Sequence, residues 1–337
     1  PHCGLKPEQK KAPGTKMNSS AQRRVMNPIQ PFLDRNGFVM LDGGLSTVLE
    51  RWGANLDHEL WSSLVLIETP ELLSEAHAAY LDAGADIIAT ATYQASLDGF
   101  MRAGLGRNES LAIMQNAVNL ALQARDHFWD VQGNDQRTKP LVAASLGPYG
   151  ACLHDGSEYH GNYEMGLQQL VDFHRPRVAA LAGCGADLFA FETIPSLLEG
   201  QAITELLKKF PDIEAWISFS CRNGTEVAHG ESFAECVDLA SSSGQFLAVG
   251  ANCTPPAHIP SLLKSVGDIP IPMAVYPNSG ESWDATRQQW RGEASDDMNV
   301  VAWHGLGARL IGGCCRTAAE DIRHMKSELM GALANDL

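Results

Sequence analysis

The sequence predicts a single α/β domain of the parallel (β/α)8 barrel type, and three observations carry that prediction. Short apolar runs recur from Gly37 onward. Helical patterns fill most of the gaps between them. Polar, glycine-rich or cysteine-bearing residues follow nearly every run. Eight runs read as strands: Phe38–Leu41, Ile87–Ala91, Leu141–Ala144, Leu188–Phe191, Ala215–Phe219, Phe246–Gly250, Ile271–Val275 and Arg309–Ile311. A barrel of this kind takes about 250 residues or more, which Gly37–Leu337 supplies. A doubly wound open sheet is the competing arrangement, but it would gather its chemistry near one switch point. Here the unusual residues are spread over the strand ends, where barrel enzymes build their sites.

The helical stretches have recognisable ends. Thr69-Pro70-Glu71 reads as an N-cap, a first-turn proline and an early acid. Leu72, Leu73, Ala76, Tyr80 and Ala83 then share a face, and Gly84 stops the helix. Asn108–Trp129, Tyr163–Ala182, Pro195–Lys209, Ser232–Ser242, Ile259–Val266 and Thr317–Leu333 follow similar patterns. Pro176 is expected to kink its helix or start a second segment.

Ahead of these elements, residues 1–30 are rich in Lys, Pro, Ser and Gln and lack periodicity. They read as a disordered leader or an upstream extension, with Met17 and Met26 as candidate starts and residues 31–337 as one barrel domain. The formal net charge is −15, from 40 acidic and 25 basic side chains, which argues against nucleic acid and anionic membranes as partners. No apolar run approaches the ~20 residues of a membrane span, and no signal peptide is evident. The expectation is a cytoplasmic protein, monomeric rather than oligomeric.

Eight cysteines in such a chain point to metal binding or catalysis more than to disulfides. Cys314 and Cys315 are adjacent, follow two glycines and close the last predicted strand, while Cys253 ends the sixth. In a closed barrel those two ends face the central axis. Three thiolates would leave a tetrahedral zinc one open position, as a catalytic site requires. A vicinal disulfide, simple burial and a redox pair are the alternatives. The remaining cysteines read as packing residues, with Cys221, just past a strand end, the most plausible decoy ligand.

The chain is similar to the homocysteine S-methyltransferase family from about Phe38 to Ile322, most closely to its branch using S-methylmethionine or S-adenosylmethionine. The likeness rests on Gly-Ala-Asn-Cys ending at Cys253 and on Gly-Gly-Cys-Cys-Arg spanning Cys314 and Cys315. It extends to Asp42-Gly43-Gly44, Tyr93-Gln94, Gly147-Pro148-Tyr149-Gly150-Ala151, Asp155-Gly156-Ser157-Glu158-Tyr159, His174-Arg175-Pro176-Arg177, Phe191-Glu192-Thr193 and Tyr276-Pro277-Asn278-Ser279-Gly280-Glu281. The resemblance implies a zinc-bearing barrel that makes methionine from homocysteine, with Cys253, Cys314 and Cys315 as the metal ligands and Asp42 and Glu192 in the homocysteine site. It also implies relatives acting on betaine, folate or selenocysteine.

Residue chemistry is compatible with that expectation. A thiol on zinc is held as the nucleophilic thiolate. Asp42 or Glu192 can take an amino-acid ammonium, and the amides of Gly43 and Gly44 can approach a carboxylate; turn-forming and barrel-lining roles are their alternatives. Trp61, Tyr93 and Tyr149 are candidate aromatic faces for a sulfonium, or core residues. Asn252 and Asn278 are candidates for orienting ligands, and Glu281 for the donor's amino group. His174 reads as structural. A zinc hydrolase is disfavoured by the thiolate ligand set and by the lack of H-x-x-x-H spacing among the histidines. A selenocysteine methyltransferase and a non-catalytic thiol or zinc sensor are the remaining rivals.

Overall fold

The computed structural model describes residues 27–54, 62–153, 155–284, 289–295 and 297–335. Residues 1–26 of the expected leader and the candidate aromatic Trp61 lie outside the described residues. Ten strands follow the described chain: β1 (Val39–Met40), β2 (Ile87–Ala89), β3 (Leu141–Leu146), β4 (Leu188–Ile194), β5 (Ala215–Phe219), β6 (Phe246–Asn252), β7 (Met273–Tyr276), β8 (Ser282–Asp284), β9 (Gln289–Arg291) and β10 (Ala308–Ile311). The strands β8 and β9 form a separate antiparallel pair. The other eight are parallel, in the order β1-β10-β7-β6-β5-β4-β3-β2, with helices between them.

The two ends of that order meet. Leu41 bridges Ile87 in parallel. The Asp86 amide donates to the Met40 carbonyl at 2.7 Å, and the Asp86 carboxylate accepts from the Met40 amide at 2.9 Å. A barrel thus closes on a narrow seam, and each predicted run supplies one of its strands.

Strands β4 and β6 run past their apolar patterns. The ladder continues through the Ile194–Phe219 and Asn252–Tyr276 pairs. The added segments carry Glu192, Thr193 and Asn252, polar residues at the C-terminal mouth. A hydrophobicity pattern stops where the strand starts to line a polar cavity, although its backbone bonds continue.

The barrel interior is apolar below that mouth. Val39, Leu41, Leu188, Ala190, Trp216 and Leu310 belong to one buried cluster. A short helix, Gln30–Asn36, precedes β1 and ends at Gly37 in the left-handed conformation, φ 75°. Ile29 and Phe32, 0% and 1% exposed, join the interior cluster beside Leu141 and Leu247, which lie at or near the starts of their strands. Residues on both sides of Pro31 therefore help seal the N-terminal end. A second, larger cluster fills the space between the strands and the surrounding helices.

Most helices start and stop close to the predicted positions. The Pro70–Ala83 helix ends at Gly84, φ 107°, while Thr69 makes no side-chain cap because Leu72 bonds its backbone carbonyl instead. Pro176 lies inside one continuous helix, Leu167–Leu181, rather than dividing it. No helix among the described residues is long and apolar enough to cross a membrane.

Replacing Phe32 by Ala should cost about 3 kcal/mol or more of stability, because it empties a fully enclosed position. Chemical denaturation measures it, and a loss below about 1 kcal/mol would show that the segment before β1 does not seal the barrel.

Candidate metal and substrate site

Cys253 follows β6 directly, and Cys314 and Cys315 follow β10 after Gly312 and Gly313. The three Sγ atoms lie within 4.8 Å of one another, and Cys253 and Cys315 are 3.5 Å apart. The backbone is bent to bring them there. Among the described residues, the non-glycine positions with positive φ are Thr193 at 61°, Cys253 at 47° and Arg316 at 68°. All three adjoin or belong to this cluster, where strained conformations are held for a purpose.

Close packing explains the glycines. A Cβ on Gly44 would lie 2.6 Å from the Cys314 carbonyl oxygen, and one on Gly313 would lie 2.1 Å from Thr317 Oγ1. The Gly44 amide already donates to the Thr317 carbonyl at 3.0 Å, so it is not offered to a substrate carboxylate. The cysteine turn is held from several sides. Cys314 N donates to Pro277 O at 2.8 Å, Gly313 N to Asp42 O at 3.0 Å, and Arg316 N to Thr47 Oγ1 at 2.9 Å.

Asn252 links the cluster to β4. Its Oδ1 accepts from Thr193 N at 2.7 Å and from Ser218 Oγ at 2.8 Å. Its Nδ2 donates to Thr193 Oγ1 at 2.9 Å and lies 3.8 Å from Cys314 Sγ. The Cys253 thiol is pulled well below its usual range by hydrogen bonds from Cys314, then Cys315, with a further contribution from Tyr159, whose hydroxyl is 3.8 Å away. The Cys315 thiol is pushed up by the same bond to Cys253.

A cavity opens over the sulfurs. The site candidates Asp42, Gly43, Gly44, Tyr93, Glu192, Asn252 and the three cysteines line it together. Asp42 Oδ2 accepts from Ala89 N at 2.7 Å, and burial raises its carboxyl well above the usual range. Burial also lifts Glu192 to about 7, against the opposing hydrogen bond from Ser145. Among the described residues, no Lys, Arg or His lines the cavity.

Other candidates lie elsewhere. Asn278 is buried but spends its Oδ1 on Gly280 N at 2.9 Å. Glu281 pairs with Arg316 Nε at 3.0 Å and braces the cysteine turn. Tyr149 packs edge-on against Tyr163 and Phe173, and His174 is buried against Glu199 at 2.8 Å, a structural role. Cys221 points its thiol back toward Phe219 O at 3.8 Å, and burial pushes it up to a non-nucleophilic state. Sequence reasoning missed Gln94, Ser145, Glu158, Tyr159 and Tyr276, which also line the cavity. The run Asp155–Tyr159 is distinctive in sequence, yet only the fold shows that the turn after β3 carries Glu158 and Tyr159 back over the sulfurs.

Fold and site together define a (β/α)8 barrel with three cysteines that could hold a metal ion at its C-terminal mouth. The family model described as homocysteine S-methyltransferase matches residues 39–329. The chain belongs to the homocysteine S-methyltransferase family. It is 47% identical over 305 residues to Homocysteine S-methyltransferase YbgG of Bacillus subtilis, covering 89% of this chain and 97% of that protein. It is 42% identical over 312 residues to a Selenocysteine Se-methyltransferase of Brassica oleracea, covering 88% and 90%. The crystal structure of the homocysteine methyltransferase MmuM from Escherichia coli in its metallated form superposes with a TM-score of 0.79 at 39% identity, covering 89% and 99%.

Replacing Asn252 by Ala should weaken metal binding about 10- to 100-fold while all three sulfurs remain, as losses of ligand-orienting groups do. Competition with a chromogenic chelator measures it. Unchanged affinity would mean that the amide does not orient the site.

Proposed function

We propose that this protein transfers a methyl group from a sulfonium donor, S-methylmethionine or S-adenosylmethionine, to the sulfur of homocysteine, using zinc held by Cys253, Cys314 and Cys315. The observation that carries the reading is the convergence of three sulfurs and two amino-acid-binding carboxylates, Asp42 and Glu192, in one cavity. Thiolates about 2.3 Å from a tetrahedral zinc stand about 3.8 Å apart, and the observed cluster spans distances of that order. When bound, zinc supplies a Lewis-acidic position that keeps a coordinated thiol deprotonated at neutral pH.

The chain's own residues supply the rest. Asp42 and Glu192 receive the acceptor's ammonium, which restores the charge that burial opposes in both carboxyls. Gly43 also lines the cavity, and its missing side chain lets it pack against Thr317, whose carbonyl oxygen a Cβ would approach to 2.9 Å. Tyr93 offers an aromatic wall to the sulfonium. Held in line, the acceptor sulfur forms the new S–CH3 bond as the donor's C–S⁺ bond breaks, and the donor leaves as a neutral thioether. No side chain needs to be methylated. Selenocysteine is the second acceptor, since a selenol meets the same cluster and a Se-methyltransferase is among the similar proteins. The protein acts in the cytoplasm as a monomer on this reading.

Purified wild type should carry about one zinc per chain, since three thiolates make a single site, and should form methionine from homocysteine and S-methylmethionine. Cys314→Ser should lower zinc content and cut methyl transfer more than about 100-fold, beyond the effect of an orienting residue. Full transfer by a zinc-free Cys314→Ser protein would refute the mechanism. Binding of homocysteine without turnover on any sulfonium would favour a thiol sensor.

A further inference from the structure

The cavity holds a second acidic corner that the acceptor does not need. Among the described residues, Glu158, 6% exposed and lining the cavity, has no hydrogen-bond partner for its Oε2. Gln94, also 6% exposed and lining the same cavity, has none among them for its Oε1. A buried acceptor left unsatisfied costs stability, and an unpaired buried carboxylate costs more, so such groups persist where a ligand completes them. Two acceptors with no donor call for a ligand rich in N–H groups. Among the described residues, no Lys or Arg lines the cavity to serve instead.

Both groups are fixed in place rather than adaptable. Gln94 Nε2 donates to Ala151 O at 3.1 Å, and the Glu158 carbonyl accepts from Ser220 Oγ at 3.1 Å. Between them runs the Gly150–Ala151 turn, where a Cβ on Gly150 would lie 2.6 Å from Glu158 N. The buried Glu199 anchors that turn through Tyr149 N at 2.7 Å.

Glu158 also lies on a different flank of the sulfurs from the acceptor acids. Tyr159, the residue after Glu158, sets its hydroxyl 3.8 Å from Cys253 Sγ, whereas the Asp42 carbonyl accepts from Gly313 N at 3.0 Å, beside Cys314, and Glu192 accepts from Ser145 on β3. Two amino-acid substrates bring two ammonium groups, and one carboxylate pair on one flank serves only one of them.

We propose that Glu158, with Gln94 beside it, receives the ammonium group of a sulfonium amino-acid donor and forms a second amino-acid subsite on the Cys253 flank. This rests on the methyl-transfer reading above and names the part of the cavity that selects the donor. A charge-assisted hydrogen bond of this kind contributes about 10- to 100-fold in affinity.

The test is calorimetric titration of the zinc-loaded protein with S-methylmethionine and, separately, with homocysteine, for wild type and Glu158→Gln. The expected result is a Kd for S-methylmethionine raised about 10- to 100-fold, with the Kd for homocysteine and the zinc content within twofold of wild type. An unchanged Kd for S-methylmethionine, or an equal loss for homocysteine, overturns the assignment. If Glu158→Gln does not fold, Glu158→Asp keeps the charge but withdraws it by one methylene. It should weaken the donor alone by several-fold, and a donor Kd equal to that of wild type overturns the assignment in the same way. Methionine formation by wild type is assayed alongside. Its absence refutes the function, while the titrations still decide whether Glu158 binds the donor.

Discussion

Three sulfurs from two strand ends must meet within 4.8 Å, and much of the upper barrel is organised around that requirement. Left-handed backbone at a residue with a Cβ costs of order 1 kcal/mol or more, and the site carries it at Thr193, Cys253 and Arg316. Each strained residue has its own restraint. Thr193 is clasped by Asn252 from below, through both its amide and its hydroxyl. Cys253 N bonds Tyr276 O at 3.2 Å, which continues the β6–β7 ladder through the bend. Arg316 is pinned at its amide by Thr47 and at its guanidinium by Glu281. The glycines at 44 and 313 are the counterpart, since they let the β1 loop and the cysteine turn approach to distances that no Cβ allows.

Beneath the sulfurs the barrel changes character over one layer of side chains. Trp216 and Tyr276 meet edge-on at 6.5 Å, with the indole N–H donating to the Tyr276 hydroxyl at 2.9 Å. Ser218 joins that hydroxyl to Asn252. The apolar interior therefore ends in a connected polar plate, not in isolated buried groups, and such a plate holds its members at fixed angles. Metal-site geometry is inherited from this plate through Asn252, and the plate in turn depends on the register of β5, β6 and β7.

This dependence explains what the sequence could and could not reveal. The barrel was legible because its strands are short apolar runs with breakers, and the cysteines because each stands at the end of such a run. Cys221 stands at the end of one too, and pattern alone ranks it close to Cys253. The difference is backbone conformation: Cys253 adopts φ 47° and turns its thiol to the axis, while Cys221 turns back on its own strand. The β8–β9 pair was missed because segments of three residues are too short to show alternation. Glu158 was missed because the turn that carries it has no periodicity, and only three-dimensional proximity gives it a role. Glu281 looked like a ligand group at a strand end, but an arginine one residue beyond the cysteine pair claims its carboxylate.

The cavity is anionic in character. Asp42, Glu158, Glu192 and three cysteines line it, and among the described residues no Lys, Arg or His does. Such a cavity is unfavourable until cations enter, and burial expresses this by lifting the carboxyls of Asp42, Glu158 and Glu192. On the proposed function the ligands bring the cations: a dication, two ammonium groups and a sulfonium. Substrate carboxylates would be met by backbone amides or hydroxyls, since among the described residues no guanidinium lines the cavity to take them. The charge balance then changes on turnover. Before transfer the cavity holds a sulfonium beside a thiolate; afterwards both sulfurs are neutral thioethers. The attraction that drew the donor in is cancelled by the reaction itself, so an acceptor-lined cavity favours the reactant pair over the product pair and assists release without a moving part.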